Sequence, residues 1–251
     1  MNYKLSALLV ACNEEEQIDE CLSSIQFADE IIVVLDKCVD ETEKIARRYT
    51  RKIYKGSWNL EGERRNFGIM KCSHEWIFEI DADERVPILL QKEIRLLIKK
   101  SIYDYHLIDV NNFIGKKLVK YGWGAYFGKS SYPGLFRKNA KIWGNERVHP
   151  KLILKGKKGD NLNHKLTHFY CKNISDMIKK LDSYSSARAF DLLDSNSNET
   201  SVTNIRRIFS RFWKCFVLRR GYKEKHFGLM IGFMASLYPL LSYIKYKFLK
   251  K

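Results

Sequence analysis

The sequence predicts an α/β fold: a mostly parallel, Rossmann-like sheet flanked by helices, followed by a helical, basic C-terminal extension. Three observations lead there. Apolar strand-like runs alternate with amphipathic helical stretches through the first hundred residues, a pattern that calls for a parallel sheet with crossover helices. Three of those runs end in polar groups, at Asn13, Asp36 and Asp81. Charge is also divided: residues 1–100 carry 16 basic and 19 acidic side chains, and residues 101–251 carry 29 basic and 10 acidic.

Taken in order, Leu5–Ala11 reads as a buried strand. Asn13 can cap a helix opening in Glu14-Glu15-Glu16, where acids suit a first turn, and Ile18, Cys21, Leu22 and Ile25 form its apolar stripe. Residues 30–35 (EIIVVL) form a second strand ending at Asp36. A helix over 40–49 follows, with Asp40 as its cap, then a short strand over 52–54 and a helix over 61–71. Residues 76–80 (WIFEI) are the fourth strand, and Pro87 opens a helix reaching about residue 99, since proline is tolerated at a first helical position. Residues 105–110 read as a further strand. There is no GxGxxG after Ala11 and no GxxxxGK[ST], so the dinucleotide and P-loop fingerprints are absent.

The chain has 251 residues and is 45% hydrophobic, enough for a real core and against a disordered chain. Its six cysteines show no CxxC spacing, which fits buried free thiols in a reducing compartment. The N-terminus has a short apolar run and then acids, read as a strand and not a signal peptide.

Open α/β sheets bind ligands beyond the carboxyl ends of their strands. A strand ending in Asp81-Ala82-Asp83 offers two carboxylates to a metal or a sugar hydroxyl; a polar turn after a core strand is the plainer alternative. In a parallel sheet Asn13, Glu14 and Asp36 share that edge, which favours a site.

Here a family resemblance enters. LLVACNEEEQIDECLSSIQFADEIIVVLDKCVDETEKIA, then GERRNFGI and WIFEIDADERV, resemble in order and spacing the inverting family 2 glycosyltransferases, nearest the bacterial lipopolysaccharide-core, beta-1,4-glucosyltransferase-like group. The resemblance implies a GT-A fold, a nucleotide-sugar donor (a UDP-sugar above others), Mg²⁺ or Mn²⁺, and a glycan or lipid-linked oligosaccharide acceptor. It implies that Ala11, Asn13 and Glu14 form the first nucleotide-binding loop and that Asp36 reads the nucleobase. Relatives often carry two acids or Asp-Ser-Gly where this chain has Leu35-Asp36-Lys37-Cys38. Arg65 and Asn66 match the Arg-Asn of the helix facing the nucleotide, with Arg65 suited to a bidentate phosphate contact; a solvated helix face is the alternative. Asp81 resembles the acid contacting ribose or sugar, and Asp83 the metal ligand. His168 matches a histidine that contacts phosphate or metal or supports Asp83. Glu84 and Arg85 are either ligands behind this shell or an ordinary helix-entry pair.

The middle of the chain supplies the acceptor side. YGWGAYFGKSSYPGLFRK sets Trp123 and Tyr126 among glycines, either as a sugar platform or as a loop anchor, and residues 132–137 resemble a family strand returning under the site. Relatives usually show Val-His-Glu with the Glu as base; here Pro150 stands in that place. The alternative bases are Glu146 and His149. On a strand, Glu146 would face one side and His149 the other.

The sequence is thus divided into a donor-binding part (1–100), an acceptor-side part completing the sheet (101–172) and a helical basic extension (173–251). In the extension an amphipathic helix spans 173–194, capped by Asn173 or Ser175. Residues 205–225 hold eight basic side chains against one acid, interleaved with apolar residues at helical spacing. Such a helix suits an anionic membrane interface; a helix packed on the catalytic domain is the alternative. The apolar stretch 227–241 is short for a span and contains Pro239. Together these place the protein in the cytoplasm, peripheral on the inner face of the cytoplasmic membrane. No nucleic-acid partner is expected, because charge is the only feature favouring one. The competing classes are a nucleic-acid-binding protein and a noncatalytic membrane-surface sugar-binding scaffold.

Overall fold

The structure is a computed structural model and describes residues 3–124, 127–147, 150–195 and 199–250. Its nine-stranded sheet runs in the order β3-β2-β1-β4-β8-β6-β11-β5, with β7 paired to β6. The parallel block comprises β1 (Leu5–Ala11), β2 (Glu30–Asp36), β3 (Ile53–Gly56) and β4 (Trp76–Asp81). The helices between them are α1 (Ile18–Ser24), α2 (Thr42–Ala46) and α3 (Glu61–Lys71). β1 and β2 are buried at every position, as expected for strands covered on both faces. Antiparallel pairings extend this block, so the sheet is mixed: β8 (Ser131–Arg137) pairs with β4 and with β6 (Tyr105–Ile114), and β5 (Glu84–Arg85) with β11 (Leu166–Cys171). Helix α4 (Ile88–Lys100) starts just after Pro87. β9 (Lys141–Trp143) and β10 (Leu152–Leu154) make a separate two-stranded ribbon.

Contacts divide the chain into two compact units. The first runs to Val110 and includes Ser131–Glu146 and Pro150–His168; the second holds Asn111–Ser130, Arg147 and the chain from Phe169 onward. The first unit's core packs the two faces of β1, β2 and β4 against α1, α4 and α3. The second unit contains β7 (Lys117–Val119), α5 (Ile174–Asp194), α6 (Ser201–Trp213) and α7 (His226–Leu249), around Trp123, Phe127, Tyr170, Met177 and Tyr238. Asn173 caps α5 by accepting from Asp176 N at 2.9 Å.

Three expectations change. Asn13 is no helix cap: its φ is 55°, its Oδ1 accepts from Val39 N at 2.9 Å, and α1 begins only at Ile18. Asn adopts this left-handed conformation more readily than most side chains. Glu146 lies in the loop between β9 and β10, so strand alternation does not assign its direction. The apolar C-terminal stretch is longer than its composition suggests, because helix α7 runs 24 residues straight through Pro239, which is buried along with Ser236, Tyr238 and Ser242. Tertiary packing along that side compensates for the backbone bond proline cannot make.

One buried acid ties the sheet's far end together. Glu30 at the start of β2 accepts from Ser6 Oγ on β1, from Lys52 Nζ, and from Ser73 N and Oγ at 2.8 and 2.7 Å. Burial pushes its pKa up, but the bonds from Lys52, Ser6 and Ser73 outweigh burial and hold it at about 2, against 4.5 ordinarily. A depressed carboxylate stabilises the fold above its unfolded pKa and loses that contribution as pH falls through the folded value. A gap of this size corresponds to about 3 kcal/mol at neutral pH. Glu30→Gln is therefore expected to lower unfolding stability at pH 7 by about 2–3 kcal/mol. Urea titrations across pH should show its deficit against the parent chain shrinking as pH falls from about 5 to about 2.

Candidate functional site

The parallel register sets the site's edge. Ala11 lies opposite Leu35 and Val10 opposite Asp81, so β1, β2 and β4 finish side by side. Asn13, Asp36 and Asp81 follow at one rim, as their spacing along the sequence predicts. The loop after β1 is fastened to the loop after β2: Asn13 N donates to Cys38 Sγ at 3.4 Å, Glu14 N to Thr42 Oγ1 at 2.7 Å and Glu15 N to Asp40 Oδ2 at 3.1 Å. Asn13, Glu14, Gln17, Val39 and Asp40 line an open concavity there. Ala11 is buried as the last residue of β1. Asp36 is nearly buried, with Oδ1 accepting from Trp58 N and Oδ2 from Arg64 Nη1, both at 3.0 Å.

Behind the rim sits a buried charge cluster whose other members the sequence does not single out. Arg65 on α3 donates through Nε to Glu61 at 2.8 Å, through Nη1 to Glu79 at 2.7 Å and through Nη2 to Asp81 Oδ1 at 2.8 Å. Glu79, facing inward on β4, also pairs with the buried Lys141 Nζ at 2.7 Å and accepts from Trp143 Nε1 at 3.2 Å. Burial disfavours the Arg65 charge, but Asp81, Glu61 and Glu79 outweigh it and hold its pKa well above the ordinary value. Burial likewise works against the Glu79 charge, and Lys141 and Arg65 overcome it, lowering its pKa. Lys141 is shifted down by burial, with Glu79 opposing. Arg65 is thus engaged with three carboxylates, and a bidentate phosphate contact would require exchanging some of them. Asn66 exchanges both amide bonds with the backbone of Trp143, at 2.9 Å each, which latches β9 to α3. The close approach of that ribbon requires Gly62, whose Cβ, if present, would meet Gly144 O at 1.8 Å.

The DxD turn is braced on all sides. Glu84 is fully buried and accepts from Asp81 N at 2.9 Å through Oε2. Arg85 donates to the carbonyls of Ala82, Glu84 and Gln17 at 2.8, 2.8 and 2.9 Å and pairs with Glu20 at 3.0 Å, binding the turn to the start of α1. Both therefore position the turn. Asp83 Oδ2 lies 3.3 Å from His168 Nε2, brought there by the pairing of β5 with β11. The two histidines of DNLNHKLTHFY separate: His164 bonds Glu93 at 2.7 Å and only His168 reaches the rim.

No trio of His, Cys, Asp or Glu gathers into a metal cage among the described residues. Asp83 alone still fits a hard divalent ion, because Mg²⁺ commonly takes only one or two carboxylates from the protein and fills its shell with water and phosphate oxygens. The carboxylate is equally an oxygen donor of the kind Mn²⁺ takes.

Glu146 Oε2 accepts from Lys151 N at 2.9 Å, and that bond, foremost, lowers its pKa. Arg147 pairs with Asp191 at 3.3 Å and with Asp194, and not with Glu146. His149 and Tyr126 lie outside the described residues. Trp123 is not an exposed platform: it is buried in the second unit, donating through Nε1 to Val119 O at 2.6 Å and meeting Tyr170 edge-on at 5.3 Å.

A parallel βαβ block whose strand ends carry this rim, extended by antiparallel strands, is a GT-A-like fold. The family model Glycosyl transferase family 2 matches residues 6–171, and the chain belongs to that family. It is 22% identical over 255 residues to the lipopolysaccharide core biosynthesis glycosyltransferase LpsC of Rhizobium meliloti, covering 92% of this chain and 90% of LpsC. An uncharacterized glycosyltransferase of Rickettsia bellii is 24% identical over 228 residues, 87% of this chain and 78% of that protein. Among solved structures, S. aureus TarS 1-349 shares 15% identity with a TM-score of 0.50, covering 97% of this chain and 88% of that one. Its complex with UDP likewise has a TM-score of 0.50, at 16% identity. These structural likenesses establish the fold.

Removing one charge from the buried cluster leaves the others uncompensated. Lys141→Met is expected to cost about 3–5 kcal/mol in chemical denaturation, far beyond a surface lysine substitution.

Proposed function

We propose that the chain is an inverting, metal-dependent transferase that moves a sugar from a UDP-sugar to a hydroxyl of a lipopolysaccharide-core or related glycan acceptor. The observation that carries this reading is the approach of Asp83 to His168 within 3.3 Å at the rim formed by Asn13, Glu14, Asp36 and Asp81. Its support outside the chain is the lipopolysaccharide-core role named for LpsC and the UDP bound to TarS.

In this reading Asn13, Glu14 and Asp36 hold the nucleoside, and Asp81 contacts ribose or sugar from a direction set by Arg65. Asp83, with His168 beside it, would hold Mg²⁺ or Mn²⁺ when the cation is bound. The chemistry supplied by the bound cation is Lewis-acid stabilisation of the charge that builds on the leaving nucleotide. Glu146 or His149 takes the proton of the acceptor hydroxyl, whose oxygen attacks the anomeric carbon. The bond from that carbon to the diphosphate oxygen breaks on the opposite face, so configuration inverts, and UDP carries away the electron pair. Residues 1–100 serve the donor, 101–172 the acceptor, and 173–251 a peripheral attachment to the inner face of the cytoplasmic membrane.

With UDP about 100-fold above its Kd, Mn²⁺ should allow a rise in melting temperature of about 5–10 °C, and UDP alone much less. Asp83→Ala should abolish the metal-dependent part; an unchanged response would remove Asp83 from metal binding. A donor screen with mass analysis of products on lipopolysaccharide acceptors tests the transfer itself. In that assay Glu146→Gln and His149→Ala identify the base, whose loss should lower turnover about 10²–10⁴-fold with UDP binding retained. Normal rates in both variants would exclude the pair.

A further inference from the structure

The second unit leaves an apolar surface uncovered. On α6, Val202, Ile205, Phe209 and Trp213 recur at intervals of three and four, which aligns them on one helix face. All four are exposed, Phe209 at 72% and Trp213 at 58%. This is not the face α6 turns toward its own unit, where Asn204 and the following Cys215 are buried. On α7, Leu229, Phe233, Leu237, Ile244 and Phe248 form a second exposed stripe. The stripes meet at Phe212, whose ring stacks on Phe216 at 5.4 Å and lies 5.2 Å from Phe233. Arg206 and Lys214, both exposed, flank the α6 stripe, and Arg220, Lys223 and Lys225 are exposed in the connection to α7.

We propose that this joined face of α6 and α7 is a bilayer-docking surface: Ile205, Phe209 and Trp213 enter the headgroup–acyl boundary, Arg206 and Lys214 meet anionic headgroups, and α7 lies along the interface without crossing it. This rests on the membrane-peripheral reading above and specifies its surface and mode. Charge complementarity selects the occupant, since aromatic anchors ringed by Arg and Lys match an anionic interface. The neighbours of α7 select the mode. α7 is long and apolar enough to cross a membrane, yet half of its most apolar window is buried inside the protein. Charged groups sit on or against it: Arg211 lies 5.8 Å from the Tyr238 ring at mid-helix, and Lys245 pairs with Asp182 of α5 at 2.7 Å. A crossing helix would draw these into hydrocarbon, where ionised side chains are strongly disfavoured. An interfacial helix keeps that side against the protein and presents only the exposed stripe to lipid.

The test is flotation of the full chain with preformed vesicles of phosphatidylcholine containing phosphatidylglycerol, beside vesicles of phosphatidylcholine alone. The parent should bind the anionic vesicles, and Phe209→Asp with Trp213→Asp should weaken binding at least about ten-fold while circular dichroism is unchanged. Arg206→Gln with Lys214→Gln, which spares the apolar stripe, should weaken binding to anionic vesicles and flatten its salt dependence. Bound protein should be released by alkaline carbonate; retention would overturn the interfacial mode in favour of a span. No binding by the parent would overturn the membrane-peripheral reading itself, whereas binding by the parent and equally by both double variants would overturn this face alone. A parent that dimerises in light scattering and ignores vesicles, with a monomeric Phe209→Asp/Trp213→Asp variant, would assign the face to a second copy of the chain and overturn the proposal.

Discussion

The buried contact of Arg65 with Glu79 and Asp81 is the interaction on which the first unit's architecture turns. It fastens α3 to the carboxyl half of β4, the strand that carries the DxD turn. Glu79 in turn holds Lys141 and Trp143, and Asn66 latches the Trp143 backbone, so the β9–β10 ribbon is tied to the same helix. Opposite charges buried together are tolerable only when each is matched and hydrogen-bonded. That condition makes the position of Asp81 depend on α3, β4 and β9 at once.

The rest of the rim follows the same logic of indirect support. Glu84 and Arg85 hold the backbone of the turn from below and from α1, leaving Asp83 to meet His168 at the junction of β5 with β11. Backbone donors of the first loop are likewise bonded to side chains of the second, so the loops after β1 and β2 form one surface. Strand ends joined by cross-braced loops make the rim preorganised, which is what holding reacting groups in a fixed geometry requires.

The second unit obeys different physics. Its helices bury small residues and aromatic rings on one side and expose apolar stripes on the other, with arginines and lysines between. Trp123 illustrates how context decides an aromatic residue's role: of the two readings open in the sequence, sugar platform or loop anchor, its packing against Tyr170 and its bond to Val119 match the anchor. The ring is closed off from solvent, and its indole N–H donates to a backbone acceptor inside the core.

Local pattern was enough for the parallel block. Strands buried on both faces must be continuous apolar runs, and crossover helices must be amphipathic, so β1, β2, β4 and the apolar stripe of α1 were legible from local pattern, and with them the shared edge of Asn13, Asp36 and Asp81. Motif order carried the family. What local pattern could not disclose was partnership across long separations: Arg65 with Glu79 and Lys141 with Glu79 were not named, and Asp83 with His168, 85 positions apart, was implied only by the family resemblance. The length of α7 was hidden as well, because the cost of Pro239 is outweighed only by neighbours that sequence does not name. The amino-acid sequence by itself determined the fold class and the strand ends where chemistry gathers, since both arise from repeating local hydrophobicity. Only the tertiary structure decided which charges are committed to holding the site and which face it, since a side chain's role depends on the groups that folding brings within a few ångströms of it.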